Sequence, residues 1–116
     1  MMTVDQIMER WRVALNGNLP VFSEVCAPDC QVWHSSDNNW MSAAAAMEGV
    51  AKMGGLPPFD KVEITKTDKG FAVQGSITPP GMGKMHIAQM VTVKEGSVAA
   101  IEEYISPEMD LRAQTA

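Results

Sequence analysis

The sequence predicts an α+β domain, and three observations carry that prediction. Apolar residues recur at helical spacing in the N-terminal half, alternate as in strands in the C-terminal half, and a strand-like run, Pro28 to Ser36, lies between helices. With 116 residues the chain forms one domain, residues 1–116, with room for a single core. Its 46% apolar and 20% charged residues are ordinary for a folded chain.

The first helix starts at Thr3, where Thr3-x-x-Gln6 is a capping box and Met2 with Ile7 fits a hydrophobic staple. Ile7, Trp11, Ala14 and Leu15 share one face, with Glu9, Arg10 and Arg12 off it. Asn16-Gly17-Asn18 ends that helix and Pro20 opens a shorter second one, whose buried side is Val21, Phe22, Val25 and Cys26. Ala27-Pro28-Asp29 closes it. In the strand that follows, Cys30, Val32 and His34 face one way and Gln31, Trp33 and Ser35 the other. Ser36 to Asn39 is expected as a polar loop. Ser42 caps a third helix through the alanine run, thin enough to lie close against a sheet, and Gly54-Gly55 terminates it.

Beyond Pro57-Pro58 an antiparallel meander is expected. Its strands are Lys61 to Thr67, Phe71 to Ile77, Lys84 to Val93 and Val98 to Ile105. The turns are Asp68-Lys69-Gly70, Pro79 to Gly83 and Lys94-Glu95-Gly96, with Gly70 expected at positive φ. Gln89 interrupts the apolar face Met85, Ile87, Val91, Val93. A buried amide must be hydrogen-bonded or face a cavity, because an unpaired one costs about 1–3 kcal/mol. In the last strand, the face with Ile101 and Ile105 is the more apolar and carries Glu103 inward, where His34 is the obvious partner; the competing reading is a solvated rim carboxylate. His34 is the side chain best suited to exchange protons near neutral pH, while His86 falls on the opposite face from Gln89 and is expected to meet solvent or a partner subunit.

Composition excludes several function classes. A net charge of −5 without any basic cluster disfavours nucleic acid. No apolar run is long enough to span a bilayer, and Asp5 and Glu9 break the pattern of a signal peptide, so a cytoplasmic location is expected. Cys26, Cys30 and His34 invite a metal site. Along one strand, however, Cys30 and His34 are separated by roughly 13 Å, too far for one ion. No metal and no cofactor are expected, and the thiols are read as small buried apolar groups.

Several runs resemble the nuclear transport factor 2-like superfamily, near its ketosteroid isomerase and SnoaL-like polyketide cyclase branch. Arg10 to Leu19 resembles that family's first helix and its exit, Ala27 to His34 its second-helix exit and first strand, and Val98 to Ser106 (VAAIEEYIS) its last strand. The resemblance implies a cone-shaped, curved antiparallel (mixed) sheet packed against three N-terminal helices, with an apolar cavity and a homodimer through the outer sheet face. It places His34 where ketosteroid isomerases hold a carboxylate base, Gln89 where they hold a hydrogen-bonding acid, and Trp11 where they hold a tyrosine. Those three substitutions remove the steroid isomerase constellation. The functional expectation is therefore a pocket for a small apolar carbonyl compound. His34 is to move the proton, Glu103 to orient or charge it and Gln89 to donate to a developing oxyanion, with Trp11, Phe22, Val32, Ile87 and Ile101 as the walls. The alternatives are a non-catalytic module for an apolar ligand and a structural dimerisation domain.

Overall fold

In the computed structural model, which describes residues 1–115, the elements run α1 (Val4–Leu15), α2 (Val21–Val25), β1 (Cys26–His34), β2 (Asn39–Ser42), α3 (Ala43–Lys52), β3 (Asp60–Lys66), β4 (Gly70–Ile77), β5 (Met85–Lys94), β6 (Ser97–Pro107) and α4 (Leu111–Thr115). The six strands form one curved mixed sheet in the order β2-β1-β6-β5-β4-β3. All neighbours are antiparallel except β1 and β6, which run parallel. No helix among the described residues is long and apolar enough to cross a membrane.

Local chemistry explains the first helix. The Thr3 hydroxyl accepts the Gln6 backbone N–H at 3.1 Å, and the Gln6 side chain accepts the Thr3 N–H at 2.9 Å, so two otherwise unpaired donors are satisfied reciprocally. The apolar stripe of α1, with Ile7, Trp11 and Leu15, then packs on Phe71 and Val73 of β4, Val91 of β5 and Val98 and Ile101 of β6. Trp11 meets Phe22 and Phe71 edge-to-face, at centroid distances of 4.6 Å and 5.5 Å. Burying each such ring contributes on the order of 1.5–3 kcal/mol. The face of the sheet that α1 covers is thus the core face.

Four expectations change. The second helix stops at Val25 and Cys26 already belongs to β1, because Pro28 disfavours helical backbone before it and Cys26 pairs with Val98. The segment read as a polar loop is a tighter turn, closed by the Asn38 N–H donating to the His34 carbonyl at 2.8 Å, after which β2 pairs with β1. Asn-Trp-Met-Ser has no alternating pattern, so only pairing with β1 makes it a strand. The third helix is capped by Ser42, as its sequence predicts, but buries no residue fully; Ala43 and Ala46 pack against the core, and the helix lies over β1. The C-terminal turn of helix, α4, has no counterpart in the sequence reading.

The turns show where glycine is required. Glu95 and Gly96 both take positive φ, 52° and 75°, as a two-residue hairpin loop between β5 and β6 demands. Gly70 closes the expected turn, exchanging backbone hydrogen bonds with Thr67, and has a second role. It opens β4, and a Cβ there would lie 2.3 Å from the Val91 carbonyl oxygen. Gly70→Ala must therefore separate β4 from β5, and urea unfolding should show a loss of about 1–3 kcal/mol; unchanged stability would disprove the close approach.

Candidate functional site

Between the covered sheet face and the helices lies a cavity of about 250 Å³. Its walls come from α1 (Trp11, Ala14, Leu15), α2 (Phe22, Ser23), the start of β1 (Cys26, Ala27, Pro28), α3 (Ala44, Met47, Val50) and the segment after it (Leu56, Pro57, Phe59). Its sheet side is Val32, His34, Gln89, Ile101 and Glu103. Small alanines of α3 border this space where bulkier residues would fill it. A dry cavity of ~150 Å³ holds benzene, so this volume suits a guest on the order of ten heavy atoms.

The polar groups are concentrated on one row of the sheet. His34 of β1 lies opposite Glu103 of β6, and Glu103 lies opposite Gln89 of β5, so the three side chains rise from adjacent strands on the same face. The indole Nε1–H of Trp11 donates to Gln89 Oε1 at 3.0 Å, and Gln89 Nε2 donates to Glu103 Oε2 at 2.7 Å. The other carboxylate oxygen, Oε1, faces His34 Nε2 at 3.7 Å, an ion-pair separation rather than a hydrogen bond. Gln89 is 5% exposed, whereas the His34 and Glu103 side chains keep 20% and 18% of their surface open. The row therefore runs from a buried anchor, Trp11, to a pair of proton-exchanging groups at the accessible end.

The order of these bonds has a chemical consequence. An indole nitrogen can only donate, so it fixes which end of the Gln89 amide faces it. The opposite end is then the NH₂, which can only donate to Glu103. Backbone bonds hold the far end of the row: the Ser35 N–H donates to the Glu103 carbonyl at 2.9 Å, and the Ile105 N–H donates to the Ser35 hydroxyl at 2.9 Å.

Of the residues that the sequence singles out, His34, Gln89 and Glu103 come together, and Trp11, Phe22, Val32 and Ile101 line the same cavity. Ile87 is buried on the covered face but lies outside this lining. His86 is on the other face, half-exposed, with Glu108 at 3.1 Å. Sequence reasoning missed Met47, Val50, Leu56 and Phe59. Phe59 is fixed by its N–H donating to the Leu15 carbonyl at 2.9 Å, a contact between segments that no local pattern announces.

The row is also a stability element. Gln89→Leu strands the Trp11 N–H in the core and should cost about 1–3 kcal/mol in urea unfolding. Trp11→Phe should cost less in a Gln89→Leu background than alone, because no amide oxygen is then left unpaired. A double-mutant cycle with coupling near zero would show that the indole and the amide act independently.

No family profile matches the sequence, and no curated protein matches it. Solved structures do match. A nuclear transport factor 2-like protein of unknown function from Burkholderia xenovorans superposes with a TM-score of 0.79 at 13% identity, covering 97% of this chain and 92% of that one. A second such protein, from Cytophaga hutchinsonii, gives 0.68 at 13% identity, over 100% and 97%. A protein from Catenulispora acidiphila with a ketosteroid isomerase-like fold, in complex with trimethylamine, gives 0.59 at 15% identity, over 88% and 86%. At these identities the likeness is one of fold: the chain has the nuclear transport factor 2-like, ketosteroid isomerase-like α+β fold.

Proposed function

We propose that this protein is a small-molecule pocket enzyme that moves a proton on a small, apolar, carbonyl-bearing compound, with an isomerase-, cyclase- or lyase-like outcome. The observation that carries the reading is the His34–Glu103 pair at the accessible end of a buried hydrogen-bonded row, inside a mostly apolar cavity. General acid–base catalysis requires a proton-exchanging group held within reach of a bound substrate, and apolar walls supply the binding.

In this reading His34 takes or returns the proton, and Glu103 orients the ring through its Nε2 face. Gln89 holds Glu103 in place with one Nε2 hydrogen and directs the second to the oxygen that gains charge. Trp11 keeps the amide in that orientation. Phe22, Val32 and Ile101 hold the apolar body of the substrate. No residue of this mechanism calls for a cofactor. We further propose that two copies associate through the uncovered sheet face, where Met90 and Tyr104 are 44% exposed and Trp33 stacks edge-on against Tyr104.

Proton abstraction next to a carbonyl leaves a mark that requires no knowledge of the product. Small cyclic ketones of about ten heavy atoms, incubated with the protein in deuterium oxide, should gain deuterium at the α-carbon, as read by mass spectrometry. His34→Ala and Glu103→Gln should each slow that exchange by roughly 10²–10⁴-fold. Exchange at the rate of buffer alone would remove the catalytic reading. If the same ketones nevertheless raised the melting temperature, the cavity would be a binding site without turnover. That second reading draws on one observation: the Gln89 amide already has partners at both ends.

A further inference from the structure

We propose that Cys26 and Cys30 form a reversible disulfide, a redox-modification site built into the cavity wall. Both cysteines are free thiols in this structure, Cys26 half-buried and Cys30 buried. The site is distinct from the acid–base row and stands or falls independently of it.

Strand irregularity brings the two residues together. Cys26 pairs with Val98 and Gln31 pairs with Ala100, so five steps along β1 span only two along β6. A regular strand would put Cys26 and Cys30 roughly 13 Å apart. Two steps of β6 cover about 7 Å, and Cys30 falls one residue short of Gln31. The excursion thus brings the two Cα atoms towards the ~4.4–6.8 Å that a disulfide spans, and both residues pack in one core cluster. Ala27, Pro28 and Asp29 form the excursion, and Pro28 suits it because it has no N–H to lose from the ladder.

Cys30 lies in the core cluster and Cys26 packs against that cluster. Cys26 donates its S–H towards Cys30, and that bond, together with burial, holds the Cys26 proton far above the usual thiol range. Accepting the same bond lowers Cys30 from its usual 9.0, against the opposing effects of burial and of Asp29. The pair thus shares a proton, an arrangement that makes one sulfur a thiolate more readily than an isolated cysteine.

Access is through the cavity, because Cys26, Ala27 and Pro28 belong to its lining. A linear low-molecular-weight disulfide is the oxidant. The shared proton passes from Cys26 to Cys30 as the Cys26 sulfur, the one at the cavity wall, attacks it; the reagent's S–S bond breaks, a protein–reagent S–S bond forms and one reagent thiolate leaves. Cys30 then gives up its proton, attacks the Cys26 sulfur and expels the second reagent thiolate. The protein pair loses two electrons and two protons, which appear as two reagent thiols. The product is a ring around Ala27-Pro28-Asp29 that ties the cavity wall next to α2 to the straight part of β1.

The test uses the intact protein and bis(2-hydroxyethyl) disulfide at neutral pH without denaturant, with remaining thiols then alkylated. Cleavage at Arg12 and Lys52 releases both cysteines on one peptide, Val13 to Lys52. The expected result is a loss of about 2 Da on that peptide, no alkylation, reversal by dithiothreitol, and faster formation in the folded protein than in a urea-unfolded control. Cys26→Ser should abolish the loss. Slower formation in the folded protein than in urea, a mixed disulfide that persists, disulfide-linked dimers, or two alkylated thiols would each overturn the proposal.

Discussion

The hydrogen bond from the Trp11 indole to Gln89 is the interaction on which the rest of the site depends. It joins the helical layer to the middle of the sheet at the point where a polar group would otherwise be stranded in the core. Because the indole is a donor without acceptor capacity, it turns the amide so that the NH₂ meets Glu103. Remove that constraint and the amide is free to flip, presenting its oxygen to a carboxylate. The packing of Trp11 between Phe22 and Phe71 is therefore the mechanical base for a carboxylate two hydrogen bonds away from it.

Topology supplies the other half of the site. The parallel pairing of β1 with β6 closes one side of the sheet with strands from opposite ends of the chain. It aligns His34 with Glu103 in one lateral row, and antiparallel β5 extends that row to Gln89. A shift of one residue in either pairing would turn the side chain to the other face. Register, more than residue identity, is what makes two titratable groups neighbours. The same pairing concentrates irregularity at the start of β1, where the strand makes an excursion and borders the cavity.

A nearly all-apolar cavity with its polar groups on one row is suited to a guest with an apolar body and a single polar end. The helix that encloses it is thin and buries no residue fully, so the cavity is kept open by alanines and by the loop that returns through Phe59. The fold hosts many activities, and the solved structures that resemble this one share its architecture at low identity. The chemistry must therefore be argued from the row itself.

Much of the framework was legible in local sequence. The Thr3–Gln6 capping box, the stripe through Ile7, Trp11 and Leu15, and the alternation around Phe71 and Val73 act through near neighbours, so the chain by itself determined helix, strand and core face there. Alternation also put Gln89 and Glu103 on the buried side of their strands. Tertiary structure decided what local pattern cannot encode: that Asn39–Ser42 is a strand, that Cys26 leaves its helix for β1, that Ile87 lies outside the cavity lining and Phe59 within it. It alone decided that His34, Glu103 and Gln89 form one row and that five steps of β1 span two of β6. Each of these depends on pairing between segments distant in the chain, where register and bulges, not the residues taken singly, set the distances.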